Sequence, residues 1–347
     1  MIFKLLLPVE WVLVLGAGLL YGLYTRLDLP LPGQPGLAEG SRGATLFYFK
    51  QLYTCCYLWA LIFILQFVRA TWITFGTFGL KLGVAPFKES WELAAKRLYP
   101  AEALKDFRLL HAVVLMFVQF QLLKHLIPQV NHRVYDRYLL RGEELVCAGR
   151  LCGEWLHRIL GEGVLHTVSE HYHWYFPFMI ASVVAMVAFA PRKEAEKYVC
   201  SFVLLFLIGI LWVYFFPTWG PAFYTPERFA FIRESGSGAL QHELWQMKLR
   251  LDAAPRSLGD LFMISGFPSL HVAVVLLAAL KLKLVHPLLS LIGWCFVLLI
   301  INSTLYLGWH YIWDDLGSVL LVYAALRCTK RLYREKKYLI YRVQADA

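Results

Sequence analysis

His271 and His310 each stand at the edge of a long apolar run. The first closes the segment Gly266-Phe267-Pro268-Ser269-Leu270-His271. The second lies in Ser303-Thr304-Leu305-Tyr306-Leu307-Gly308-Trp309-His310-Tyr311-Ile312-Trp313-Asp314. His310 and Asp314 are four residues apart, a spacing that puts them on one face of a helix. Phosphoryl transfer through a covalent histidine needs a neutral ring with one free nitrogen. It also needs a partner that holds the other ring N–H and so fixes the tautomer, and an acid that protonates the departing oxygen. His310 with Asp314 meets the first two needs, and His271 meets the third. Ser269 is placed as the N-cap of a helix that carries His271 in its first turn, where free backbone N–H groups can receive phosphate oxygens.

The elements that position these groups belong in a membrane. The chain has 347 residues, 59% of them hydrophobic and 17% charged, with a mean hydropathy of +0.54. A soluble domain is about a quarter charged. Eight apolar spans are expected, at about 8–25, 46–71, 109–128, 172–190, 197–217, 268–285, 287–306 and 313–328. The fold class expected is therefore all-α, a polytopic bundle. It divides into two N-terminal spans with a basic loop (1–108), a catalytic core with two outer loops (109–328) and a basic tail (329–347). Lys4 precedes the first span, which reads as uncleaved because no small-residue cleavage site follows.

The net charge of +10 is distributed in a way that orients the bundle. Lys81, Lys88, Lys96, Arg97, Lys105 and Arg108 fall in one loop, Arg192, Lys193 and Lys197 in a second, and Lys281 and Lys283 in a third. Lys330, Arg331, Arg334, Lys336, Lys337 and Arg342 fall in the tail. Eight spans put all of these on the side of the N-terminus, which the positive-inside rule makes cytoplasmic. His271 and His310 then meet on the opposite, extracytoplasmic face. The positive charge is thereby explained without nucleic acid, for which no binding motif is present. Few spans carry polar residues near their middle, which speaks against a transport path.

The outer loops carry their own signals. One contains a helix-like run around Glu143–Leu160. The other contains Ser235-Gly236-Ser237-Gly238, read as a loop, and then Leu240, Leu244, Met247 and Leu251 at helical spacing. That helix suits either the bilayer surface or the protein's own outer face. Of the seven cysteines, Cys147 and Cys152 can pair if their loop faces an oxidising compartment, and no zinc spacing is present. Trp309, Tyr311 and Trp313 read as anchors at the membrane interface.

The patterns Pro-Ser-x-His and Ser-x6-His-x3-Asp resemble the second and third signature motifs of the type 2 phosphatidic acid phosphatase superfamily. The resemblance implies a six-helix core and assigns His310 as nucleophile, His271 as proton donor and Asp314 as the carboxylate that orients His310. Two departures stand out. Thr304 occupies the place of an arginine in the third motif. In place of a lysine-bearing first motif stands Phe216-Pro217-Thr218-Trp219-Gly220-Pro221-Ala222-Phe223-Tyr224. This segment is similar to that of the branch containing inositol phosphorylceramide synthases, which transfer phosphorylated head groups between lipids. The resemblance thus implies substrate contacts from Ser269, Gly220, Pro221, Tyr224, Ser303 and Thr304. Membrane lipids are the expected partners, and no metal or other cofactor is expected. Release of phosphate from a lipid or polyprenyl phosphate is the alternative activity.

Overall fold

The computed structural model describes residues 6–29, 53, 56–72, 92, 95, 99–253, 264 and 266–345, with backbone alone for 335–345. Lys4, Lys81, Lys88, Lys96, Arg97 and the first part of the span expected at 46–71 lie outside the described residues. The side chains of Lys336, Lys337 and Arg342 do so too.

Among the described residues the chain is helical and contains no strand. The main elements are α1 (Pro8–Arg26), α2 (Cys56–Trp72), α3 (Pro100–His125), α4 (Asp136–Val146), α5 (Cys152–Leu160) and α6 (Leu165–His173). They continue with α7 (Tyr175–Phe189), α8 (Arg192–Phe215), α9 (Gly236–Ala253), α10 (Leu270–Leu282), α11 (Pro287–Tyr306) and α12 (Ile312–Ala345).

Five stretches are long and apolar enough to cross a bilayer: Pro8–Arg26, Pro100–Val130, Glu162–Phe189, Arg192–Phe215 and Pro287–Tyr306. The apolar helices α2 and α10 are shorter, and α12 opens with Asp314 and Asp315 and runs on as one helix through the basic tail. The 13 residues of α10 cover roughly 20 Å, about two thirds of a hydrocarbon core. The non-helical Gly266–Ser269 segment ahead of it is packed against protein, where irregular backbone at membrane depth is tolerated.

α8 is the hub of the bundle. Its buried face runs from Ala195 through Phe202 to Val213 and packs on α1, α3, α7, α10 and α12. Pro191 lets it start sharply after α7, and Pro217 follows its end. Helix direction defines two ends. At one, Arg108 pairs with Glu10 and Arg192 pairs with Asp106, joining the starts of α1, α3 and α8. At the other, Asn131 donates to the Tyr214 carbonyl, and the Ser269 amide donates to the Asp314 carbonyl. The ends of α3 and α8 thus gather with the starts of α10 and α12.

Over that second end lies a cap built from α4, α5, α6 and α9, with an apolar core of its own around Tyr172, Phe229, Tyr306, Trp309 and Tyr311. Three expectations change here. The run at 143–160 is two helices, α4 and α5, divided by a turn that the Cys147–Cys152 disulfide closes. The Gly/Ser stretch is the first turn of α9, because Gly238 passes so near Ile232 that a Cβ there would lie 2.1 Å from its carbonyl oxygen. Trp309 and Tyr311 are buried in the cap core rather than set at an interface. As for α9, it lies on the protein's own outer face: Leu240 and Leu244 pack on the cap core, and Gln241 donates to the Leu307 carbonyl.

Candidate active site

α11 ends in a tight reversal. The amides of Trp309 and His310 both reach back to the Thr304 carbonyl, and Gly308 takes a φ of 65° that a side chain would disfavour. His310 therefore precedes α12 instead of lying within it. Its contact with Asp314 is made across the first turn of α12, where Asp314 Oδ2 accepts from the Tyr311 amide at 2.9 Å and meets His310 Nδ1 at 3.2 Å. One carboxylate oxygen both ends the chain reversal and orients the ring. On the other helix, Ser269 caps α10 by accepting from the Val272 amide, and Ser318 Oγ donates to the carbonyls of Ser269 and Asp314. The starts of α10 and α12 are thereby stapled together.

This brings the two imidazoles face to face: His271 Nδ1 lies 3.4 Å from His310 Nε2. His310 is shielded, being only 4% exposed, and His271 is half-buried. Burial holds His310 well below the usual histidine range and the charge of Lys124 acts in the same direction, so the ring is neutral and Nε2 keeps a lone pair. Lys124, near the outer end of α3, is buried within electrostatic reach of both rings. Among the described residues no acceptor meets the amides of Leu270 and His271 at the start of α10. A nucleophilic nitrogen, an acid–base ring, one cation and two helix-end donors can together hold and attack a phosphoryl group.

α4 fastens the cap to this site with two buried carboxylates. Asp136 accepts from the amides of Trp219 and Gly220, each at 2.8 Å, and from the Tyr311 hydroxyl at 3.2 Å. Glu143 accepts from the Cys152 amide at 2.7 Å and from the Ile312 amide, at the start of α12, at 2.9 Å. Burial pushes Asp136 up to about 6 and Glu143 up to about 7, against the opposite pull of those amides. The loop that Asp136 holds lies directly on the turn that carries His310. A Cβ at Gly220, whose φ is 96°, would lie 2.4 Å from the Trp309 carbonyl oxygen, and the Ala222 amide donates to the Gly308 carbonyl.

His271, His310, Asp314 and Ser269 are thus gathered at one point. For the remaining residues given substrate contacts by resemblance, the structure shows contacts within the protein. Ser303 Oγ turns back to the Leu299 carbonyl. Thr304 Oγ1 donates to the carbonyls of Ile300 and Ile301 and lies 3.4 Å from Asp315. Both are buried in α11 because a hydroxyl there satisfies itself on its own helix. Gly220 and Pro221 shape the loop through backbone, and Tyr224 closes a short turn by donating its amide to the Gly220 carbonyl.

Sequence reasoning missed Lys124, Asp136, Glu143 and Tyr172, whose hydroxyl meets His271 Nε2. For Lys124 a signal existed: an ionisable residue inside an apolar span is a site candidate by default. Asp136 and Glu143 are seven apart, so they share a face of α4, but many surface helices show that spacing.

No curated protein and no solved structure matches the chain. A family model described as the PAP2 superfamily matches residues 151–328, from the disulfide-bridged turn into α12, and includes both histidines and Asp314. That match takes in about half of the chain, and with it the protein belongs to the PAP2 superfamily.

Proposed function

We propose that this protein is an integral-membrane phosphotransferase, moving a phosphorylated head group from a lipid phosphodiester to a lipid or alcohol acceptor through a phosphohistidine on His310. The observation that carries the reading is the opposition of His310 Nε2, backed by Asp314, and His271 Nδ1 across 3.4 Å. A phosphorus atom admitted between them has the nucleophile on one side and the acid on the other, which is the in-line arrangement. The rings must part to admit it. His310 Nε2 then bonds to phosphorus as the bond to the leaving oxygen breaks, and His271 Nδ1 gives that oxygen its proton. In the second half the acceptor hydroxyl gives its proton to His271 and attacks phosphorus, and His310 departs. Asp314 holds the Nδ1 proton of His310 throughout.

Charge supports a diester donor. A phosphate monoester carries about two negative charges at neutral pH and a diester one. Lys124 is the buried cation within reach of both rings. Among the described residues one such cation, together with helix-end amides, balances a monoanion, in keeping with the branch typified by inositol phosphorylceramide synthases. The disulfide in the cap supports an extracytoplasmic site with both termini cytoplasmic, since such bonds persist in oxidising compartments.

The test uses purified protein with a labelled lipid diester plus an alcohol acceptor and, separately, a labelled lipid monoester. Head-group transfer and an acid-labile phosphoprotein are expected from the diester, and both are lost in His310→Ala. Phosphate release from the monoester alone would assign the alternative, lipid phosphate hydrolysis. Full activity in His310→Ala would end both readings.

A further inference from the structure

His310 has a carboxylate behind it. His271 has a phenol. The Tyr172 hydroxyl, on α6 in the cap, lies 3.1 Å from His271 Nε2, on the far side of the ring from His310. Tyr172 is buried, and its ring is stacked on Trp309 at 5.1 Å between centroids with an angle of 7° between planes. Trp309 is the neighbour of His310, so one aromatic pair ties the support of the acid–base ring to the turn that carries the nucleophile. We infer that Tyr172 is a positioning residue that holds His271 by Nε2 and so makes Nδ1 the nitrogen that exchanges protons with substrate.

The chemistry follows from what each group can do. An aspartate behind His271 could only accept, and it would add a negative charge beside a bound phosphoryl group. A hydroxyl accepts and donates without charge. Leaving-group protonation requires His271 as imidazolium, with a proton on each nitrogen. The Nε2 proton rests on the Tyr172 oxygen and the Nδ1 proton goes to the departing oxygen. The ring is then neutral with its proton still on Nε2, and its bare Nδ1 takes the proton of the acceptor hydroxyl. Atoms and charge close over the cycle. Without the phenol oxygen, Nε2–H of the imidazolium loses its acceptor on the protein, and the neutral ring is free to keep its proton on Nδ1, where a base is needed.

This inference rests on the reading of His271 as acid and base. The groups facing its ring are His310, the hydroxyl of Tyr172, the ring of Tyr175 at 4.5 Å between centroids and, at longer range, Lys124. Tyr172→Phe keeps the stack on Trp309 and deletes only the oxygen. Removing an acceptor of the charged ring disfavours that ring, so the basic limb of kcat against pH moves to lower pH. A kcat loss of about 10–100-fold is expected, as for other residues that orient a functional histidine, with KM little changed. An unchanged kcat and pH profile would overturn the inference. So would a loss confined to KM with the profile in place, which is what a packing role predicts. If Tyr172→Phe does not fold, 3-fluorotyrosine at position 172 weakens the oxygen as an acceptor. The basic limb is then expected to shift down by a smaller amount, and an unmoved limb overturns the inference. Parallel assays of His271→Ala and His310→Ala separate the two failures. If both are dead while Tyr172→Phe behaves as wild type, only the tyrosine assignment falls.

Discussion

The bundle and the cap solve the same problem with opposite materials. In the bundle, the buried residues of α7, α8 and α11 are mainly apolar, and the ion pairs of Arg108 and Arg192 sit at the end away from the histidines. In the cap, buried carboxylates do the joining. Asp136 and Glu143 hold four amides among them, and Arg228 bridges Glu144 and Glu154. Apolar packing is non-directional, so the bundle sets the depth of the two rings and leaves their rotation open. Hydrogen bonds to backbone are directional, so the cap fixes the loop and helix end that aim them.

Substitutions can break this division or sharpen it. The largest effect is expected at the junction of the two regions. Asp314→Asn can impose the wrong tautomer on His310 and should lower kcat by about 10³–10⁴-fold while leaving the melting temperature close to wild type. A loss below tenfold would mean that Asp314 serves the chain reversal alone. Next comes Lys124→Met in the bundle, expected to cost about 100-fold in kcat/KM for the lipid diester, the scale of one preorganised charge-stabilising group. Wild-type kinetics there would return the bundle to a purely passive role.

Cap substitutions should show first in stability. Gly220→Ala forces a Cβ against the Trp309 carbonyl oxygen at a positive φ, and should destabilise the folded protein by about 2 kcal/mol in denaturant titration. Glu143 gives a pH-dependent signal. Its folded pKa is raised by burial from 4.5 to about 7, so the folded state binds the proton more tightly than the unfolded state. Its stabilising effect is complete below about 4.5 and is lost as pH rises through about 7. Melting temperature should therefore climb as pH falls across that window, and Glu143→Gln should flatten the upper part of the climb. A wild-type profile that falls instead would show that the amide bonds outweigh burial. The smallest effect is expected at Asp315, which meets Thr304 and not His310. Should Asp315→Asn prove more damaging to turnover than Asp314→Asn, the roles of the two carboxylates are reversed.

What could be read from sequence follows the same boundary. Span positions, the meeting of His271 with His310 and the partnership of His310 with Asp314 were legible because each depends on local spacing or on which side of the bilayer a span ends. The cap was not. Asp136 reaches residues 219 and 220, and Glu143 reaches Ile312, across separations that no periodicity encodes. Lys124 was passed over because it lies inside an apolar span, away from the motif segments and the outer loop where a cation was sought. Trp309 and Tyr311 misled for a different reason: aromatic residues beside a span read as interface anchors, and only the cap's own core shows why they are buried.

Lys124, Asp136 and Glu143 all precede residue 151, where the superfamily match begins. The recognisable half thus supplies both rings and Asp314 but borrows its positive charge and part of its bracing from upstream. A protein carrying only residues 151–328 would keep every motif residue and still lose the buried lysine near the two rings and the carboxylates that brace the turn carrying His310.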